Sequence, residues 1–171
     1  PYPKEYVTNF RLNDGRKALL RPIKPEDEPL EAEMFRQFSP ETHRFRFFQV
    51  IKEITHQLLV RYTQNDYDRE IAIVAEMTEQ GKRKMLGVVR LIADPYNETA
   101  EFAIVVADPW QNLGLGNRFT DYILEIARKR GIKLIYANVL MDNWVMVHIF
   151  KKRGFKIEKR DDVYYAELQL S

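Results

Sequence analysis

The residues of this chain that could do chemistry fall into two groups close together in the sequence. The first is the segment Gln111-Asn112-Leu113-Gly114-Leu115-Gly116, which joins a β-rich run ending near Ala107 to a helical pattern beginning near Gly114. The first amides of a helix lack intrahelical acceptors and sit at the positive end of its dipole, so such a turn binds anions. Gly114 and Gly116 either let the main chain approach a diphosphate without a Cβ in the way or merely permit a tight strand-to-helix turn, and both readings stand at this stage. The pattern is not a dinucleotide fingerprint, because the spacing Gly-x-Gly-x-x-Gly is absent, and it lacks the Gly-Lys-Ser/Thr of a triphosphate loop. The second group centres on Glu101, ten residues before Gln111, in the run Glu101-Phe102-Ala103-Ile104-Val105-Val106. A carboxylate there is unexpected for packing alone. It is a candidate base, acting directly or through a water, or else a solvent-facing residue near the start of its strand. Glu98 and Glu70 are competing carboxylates at apparent strand ends. His43, His56 and His148 are dispersed without ligand spacing, so no metal site is indicated.

These groups are positioned by a regular order of elements. Tyr6 to Leu12 and Lys17 to Ile23 flank Asn13-Asp14-Gly15, a hairpin signal that predicts a type I′ turn. Pro25, followed by Glu26, Asp27 and Glu28, opens a helix to about Phe38, since proline and negative charge suit a first turn. Ser39-Pro40 breaks it, and a second helical pattern runs from about Ile51 to Tyr62, with Ile51, Ile54 and Leu58 on one face. Glu70 to Met77, Met85 to Ala93 and Thr99 to Ala107 read as an antiparallel meander, turned at Thr78 to Lys84 and at Asp94-Pro95-Tyr96-Asn97. In the third of these strands, alternation sets Glu101, Ala103 and Val105 on one side and Phe102, Ile104 and Val106 on the other. Gly114 to Arg130 follows as a helix, with Leu115, Phe119, Ile123 and Ile126 at helical spacing. Leu134 to Leu140 is a strand, Asn143 to Arg153 a helix stopped by Gly154, and Phe155 to Lys159 and Val163 to Leu170 close the chain. The unit from Thr99 to Leu140 predicts a parallel strand pair, because its crossover carries a helix.

Composition narrows the classes. A chain of 171 residues, 45% hydrophobic and without internal repeat or linker, reads as a single domain spanning 1–171, and its start at Pro1 fits either a processed protein or a domain cut from a longer one. The absence of cysteine excludes a disulfide framework, a thiolate zinc site and a cysteine nucleophile, and it fits a reducing, cytoplasmic setting. The net charge of +2 is spread through the chain, which argues against nucleic acid as a partner. No apolar run approaches the roughly 20 residues needed to cross a bilayer, so no membrane association is expected.

The segment Ala107-Asp108-Pro109-Trp110-Gln111-Asn112-Leu113-Gly114-Leu115-Gly116 resembles the Gln/Arg-x-x-Gly-x-Gly/Ala motif of the GNAT superfamily of N-acetyltransferases. Asn143 with Phe150-Lys151-Lys152-Arg153-Gly154-Phe155 is similar to the family's second signature, and the order of elements agrees along nearly the whole chain. The resemblance implies an α/β (α+β) GNAT fold: a mixed, mostly antiparallel sheet of about seven strands with a central splayed parallel pair, flanked by about four helices. It implies acetyl-CoA as acetyl donor, with the pantetheine arm in the splay. Main-chain groups of Val105 and Val106 would bond that arm, amides from Gln111, Asn112, Leu113, Gly114, Leu115 and Gly116 with Asn117 would hold the pyrophosphate, and Asn138, Asn143 and Phe150 would complete the cofactor site. Asn143 is equally well a helix N-cap, and Asn138 an ordinary polar residue at a strand crossing.

An amine acceptor is a cation near neutral pH and must lose a proton before attacking a thioester, which is the task the resemblance gives to Glu101. Many relatives place a tyrosine in the second signature's helix as general acid. The matching residue here is Phe150, so another group serves or the thiolate leaves unprotonated; Tyr136, Tyr164 and Tyr165 are unplaced candidates. Leu20-Arg21-Pro22-Ile23-Lys24-Pro25-Glu26-Asp27-Glu28, the segment Ser39 to Phe48, and Glu101 to Val106 resemble most the GNAT domain of bacterial protein lysine acetyltransferases that modify acyl-CoA synthetases. The expected partner is therefore a protein lysine, with an acyl-CoA synthetase as its example. A small-molecule amine acetyltransferase and a non-catalytic acetyl-CoA sensor are the alternatives. Ser39 to Phe48, read as an inter-helix loop, either lines the acceptor groove or clamps the cofactor, or else packs with its arginines snorkelling to solvent.

Overall fold

The computed structural model describes residues 2–47 and 69–171. Its strands are β1 Thr8–Arg11, β2 Lys17–Pro22, β3 Glu70–Glu79, β4 Lys82–Ala93, β5 Thr99–Val106, β6 Leu134–Leu140, β7 Lys156–Arg160 and β8 Val163–Gln169. Among the described residues they form one sheet of 8 strands, matching the eight strand runs read along the sequence, in the order β1-β2-β3-β4-β5-β6-β8-β7. Among the described residues the α-helices are α1 Glu28–Arg36, α2 Pro40–Phe47, α3 Leu115–Lys129 and α4 Trp144–Lys152. The helix expected over Ile51 to Tyr62 lies outside the described residues, as does His56. Among the described residues the architecture, a mixed sheet with a parallel pair and four helices, is the one that the resemblance implied. Among the described residues no helix is long and apolar enough to cross a membrane.

Two local expectations are corrected. The Asn13-Asp14-Gly15 loop is not a type I′ turn, because only Gly15, at φ 93°, has positive φ. The Gly15 amide donates to Leu12 O (2.9 Å) and the Leu12 amide to Arg16 O (2.8 Å), so one left-handed glycine closes the hairpin where two left-handed residues were expected. The segment after Ser39 is a helix rather than a loop. The Ser39 Oγ accepts the Thr42 amide (3.1 Å) as an N-cap, and Pro40 occupies the first helical position. A Ser-Pro pair that ends one helix can therefore start the next, because proline's missing N–H would be unsatisfied there anyway.

The apolar runs explain the layers. Ile71 to Ala75 of β3 and Leu86, Val88 and Val89 of β4 are buried, as their continuous aliphatic composition requires of central strands. Gly87 pairs with Val106, and a Cβ at Gly87 would lie 3.1 Å from the Phe119 ring, so the face of β5 carrying Phe102, Ile104 and Val106 is the α3 and α4 side. Arg90 pairs with Ala103 and reaches Glu31 of α1, so Glu101, Ala103 and Val105 share the face of α1 and α2. Leu115, Phe119, Ile123 and Ile126 of α3 are all at most 1% exposed, which anchors the helix and, with it, the turn at its start. On α4, Gly154 at φ 80° ends the helix. The Phe155 amide donates to Phe150 O and the Gly154 amide to Lys151 O (both 3.1 Å), and the Phe150 and Phe155 rings lie 5.0 Å apart. This is a Schellman cap with its hydrophobic contact, the physical content of the Phe150 to Phe155 signature.

Candidate active site

The parallel pair β5 and β6 is in register only over Thr99↔Leu134, Ala100↔Ile135 and Glu101↔Tyr136. Beyond Glu101 the two strands part, and the gap is the site. Its upper part is a cavity of about 240 Å³ lined by Ile104, Val105 and Val106 of β5, the turn residues, Thr42, Phe45 and Arg46 of α2, and Asn143, Met146 and Ile149 of α4. A second cavity of about 120 Å³ continues it toward Glu101, between Phe102 to Ile104 and Ala137 to Val139, over Phe150. Phe45, Arg46, Ile104, Asn143 and Met146 line both.

At the upper end, Asp108–Trp110 forms a short 3-10 turn, Asn112 takes φ 64° and Gly114 φ 88°, and α3 begins at Leu115. No amide from Asn112 to Asn117 donates to an acceptor among the described residues, whereas the next one, Arg118, donates to Gly114 O (3.1 Å). Outward amides at a helix start, facing a cavity, form an anion cradle. Gln111, Asn112, Gly114, Leu115, Gly116 and Asn117 all line it, while Leu113 turns inward, its carbonyl accepting the Asn13 amide (3.0 Å). The glycines have structural reasons. A Cβ at Gly114 would sit 2.7 Å from Asn13 Oδ1 in the β1–β2 hairpin, and one at Gly116 would sit 3.2 Å from Ile149 Cδ1 of α4. Their missing Cβ atoms thus let the hairpin and α4 close on the turn, and the cradle itself is the run of amides.

The main-chain groups that face the gap are not the pair expected. The Ala107 amide donates to Leu86 O (2.9 Å) of β4, and in an antiparallel ladder a residue's N–H and C=O point to the same neighbour, two residues apart. Val105 therefore turns its backbone toward β4, and its carbonyl lies 2.6 Å from where a Gly87 Cβ would be. Ile104 and Val106 point theirs into the gap, and Val106 O already accepts from Gln111 Nε2 (2.9 Å). Gln111 acts as a brace, also reaching Thr42 Oγ1 (3.4 Å).

Asn143 caps α4, its Oδ1 accepting the Met146 amide (3.3 Å), and lines both cavities as well. Asn138 lines the lower cavity from β6. Phe150 is 1% exposed and packs edge-on against Phe102 (5.5 Å), so it forms the floor of the lower cavity. Glu101 is half-buried at the point where the strands part, with Tyr136 opposite it in register. Burial, and then the neighbouring Glu101 carboxylate, push the Tyr136 phenol up from its ordinary value. Its ring lies 5.7 Å from that of Tyr165, while Tyr164, paired with Val139, points to the other face. The sequence reading missed Ile104, Trp110, Met146 and Ile149. The spacing Met146, Ile149, Phe150 on α4 was the signal that could have found two of them.

Helix α2 spans the gap. Ser39 N donates to Asp108 (2.8 Å) and Thr42 meets Gln111 on the turn side, while Arg44 pairs with Asp142 of the β6–α4 loop. Among the described residues no group of three His, Asp or Glu side chains could hold a metal.

A splayed parallel pair with an amide cradle at the following helix start defines the class: a coenzyme A-dependent acyl transfer domain. Residues 30–155 match the family described as Acetyltransferase (GNAT) family, and the chain belongs to that family. It is accordingly an acetyltransferase with acetyl-CoA as its donor. It is 34% identical over 150 residues to Acetyltransferase PA5475 of Pseudomonas aeruginosa, covering 88% of this chain and 80% of that protein. It is 30% identical over 145 residues to Acetyltransferase Pat of Mycolicibacterium smegmatis, covering 84% of this chain but 43% of that longer protein. The crystal structure of the GNAT domain of S. lividans PAT superposes with a TM-score of 0.88 at 27% identity, covering 99% of both chains.

Proposed function

We propose that this chain, read as one GNAT domain over 1–171, transfers the acetyl group of acetyl-CoA to the side-chain amine of a protein lysine, with Glu101 as general base. The pyrophosphate lies on the amides of Asn112 to Asn117, the pantetheine arm runs down the gap past Ile104 and Val106, and Asn138, Asn143 and Phe150 shape its lower end. The observation that carries the reading is the position of Glu101. It is a half-buried carboxylate at the fork of β5 and β6, in a cavity continuous with the amide cradle. From Val106 to Glu101 the strand covers five residues, about 17 Å, a length suited to an extended pantetheine chain that brings its thioester to the carboxylate. The amine attacks the thioester carbon as its proton passes to Glu101, directly or through a water, and the carbon–sulfur bond then breaks with its electron pair on sulfur. The resemblance of Leu20 to Glu28, Ser39 to Phe48 and Glu101 to Val106 to the GNAT domain of bacterial protein lysine acetyltransferases supports a protein acceptor. An acyl-CoA synthetase is the natural first substrate to try, and the cysteine-free composition supports a cytoplasmic setting.

The test is transfer of labelled acetyl from acetyl-CoA, offered in parallel to an acyl-CoA synthetase and to free polyamines and amino acids. Label on the protein lysine supports the reading, and label only on small amines overturns the acceptor class. Acetyl-CoA bound without any turnover by the wild type would make the domain a sensor.

A further inference from the structure

From the geometry of α2 we infer that Arg46 is a catalytic residue that stabilises the departing coenzyme A thiolate, in the place where Phe150 has no proton to give. The inference rests on the reading of the gap as the acetyl-CoA site. Phe150 is 1% exposed in a cluster with Phe102 and Phe155, and no hydroxyl stands in for it on that helix face. Arg46 of α2 lines the lower cavity together with Phe150. Arg46 lines both the upper cavity with the amide cradle and the lower one with Glu101, so it borders the junction between them. The thioester must lie at that junction, since the phosphate end is fixed above and the base below.

Three contacts hold α2 over the gap. Ser39 N meets Asp108, Thr42 meets Gln111, and Arg44 pairs with Asp142, so both walls of the splay are tied to the helix that carries Arg46. Glu31 of α1 is 1% exposed, with neither carboxylate oxygen hydrogen-bonded among the described residues and with Arg90 at 3.9 Å. Arg90 and Arg46 both draw the Glu31 carboxyl down against the stronger upward push of its burial, so Arg46 lies within electrostatic reach of Glu31. Among the described residues, the charged groups that line the two cavities with Arg46 are Glu41 of α2 and Glu101 of β5.

In the step itself the new bond joins the amine nitrogen to the acetyl carbon, the carbon–sulfur bond breaks, and the electron pair stays on sulfur. The proton from nitrogen goes to Glu101. Arg46 keeps all its protons and stabilises the thiolate by charge, and the thiolate takes a proton from solvent after release. A guanidinium stays charged at any working pH, so it does this without being a proton donor.

The experiment reads bound coenzyme A directly, by the ultraviolet absorption of its thiolate as pH is raised, in wild type, Arg46→Gln and Arg46→Lys. In wild type the thiolate-to-thiol ratio of bound coenzyme A should exceed that of free coenzyme A at the same pH by about tenfold or more. Arg46→Gln should return it to the free value and Arg46→Lys should keep most of the gain. The Gln variant should lose about a hundredfold in kcat with acetyl-CoA affinity nearly unchanged. A bound thiol that titrates in wild type as it does free in solution overturns the inference without any variant. An equal loss of affinity for ADP and for coenzyme A in Arg46→Gln also overturns it, since the arginine would then be a phosphate clamp. Failure of wild type to bind coenzyme A at all would instead defeat the reading of the gap on which the inference rests.

Discussion

Gly114 is the residue at which turn geometry, hairpin packing and cofactor binding meet, and replacing it by alanine tests how they are linked. Its φ of 88° is left-handed, and an added Cβ would lie 2.7 Å from Asn13 Oδ1. An L side chain in that conformation costs about 1–2 kcal/mol. The contact adds to this, because the Asn13 side chain must move while its amide is bonded to Leu113 O (3.0 Å). Two outcomes are open to the variant. If the turn keeps its shape, the strain appears in stability, a fall in Tm of about 2–8 °C for a domain of this size. If the turn relaxes, the amides of Asn112 to Asn117 leave their common direction, and the same energy appears as a loss of coenzyme A affinity of about 5- to 30-fold.

The assay is thermal unfolding together with calorimetric titration of coenzyme A, on Gly114→Ala, Asn13→Ala and the double variant. The double variant should recover the part due to the contact but not the part due to φ, so the two sites should couple by about 0.5 kcal/mol or more. Gly114→Val should be worse than Gly114→Ala, since a β-branched residue at positive φ is a true outlier. A Gly114→Ala protein with unchanged Tm and unchanged coenzyme A affinity would refute the reasoning. A loss of affinity that the Asn13 variant leaves wholly untouched would point instead to direct crowding of the cofactor.

Glu101→Gln should lower kcat for acetyl transfer by about 10²- to 10⁴-fold while acetyl-CoA affinity, measured by titration, stays close to wild type. Gly116→Ala should leave coenzyme A binding nearly intact, because its Cβ would meet only Ile149 Cδ1, at 3.2 Å, an end that can give by a few tenths of an ångström; Gly116→Leu should weaken binding by forcing α4 off the turn. Phe150→Ala should destabilise by about 3–5 kcal/mol in denaturant unfolding, because it opens a cavity at a side chain 1% exposed and removes the contact that closes the α4 cap. Glu31 should give stability a negative slope with pH. Burial pushes its carboxyl up from 4.5 to about 7, so between those values the folded state holds a proton that the unfolded chain has lost. Stability should fall as pH rises from about 4.5 to 7, by up to about 3 kcal/mol, and level off above. Glu31→Gln should flatten that part of the profile, and an unchanged slope in the variant would assign it to another group.

What could be read in the sequence was what depends on neighbours in the chain. Apolar periodicity found α3 because Leu115, Phe119, Ile123 and Ile126 all face one core. The strand alternation around Glu101 held because β5 has no bulge against β4. The outward amides of the turn followed from a helix beginning there, whatever its glycines do. The misreadings have local causes too. Asp-Gly predicts a type I′ turn, although a single left-handed glycine closes that hairpin as well, and Ser-Pro predicts a stop where proline's fixed φ also serves a start.

The rest depended on register, which no local pattern contains. Whether Val105 or Ile104 turns its main chain to the cofactor is decided by which residue of β4 each faces, a shift of one that reverses every backbone group along the strand. Arg46 is the stronger case. In the sequence it is one of two arginines among aromatics, as well suited to snorkelling as to chemistry. Its place comes from contacts made by other residues of α2, at Asp108, Gln111 and Asp142, which lie 69 and 98 positions along the chain from their partners. The same comparison explains Phe150. Its signature could be matched as a motif, but its reason is mechanical, since a phenylalanine at the third residue from the helix end and another two places past the cap close a Schellman turn by packing on each other. A phenylalanine serves that closure without any hydroxyl, so the position answers to packing first, and charge stabilisation of the leaving group has to come from across the gap, where α2 brings Arg46.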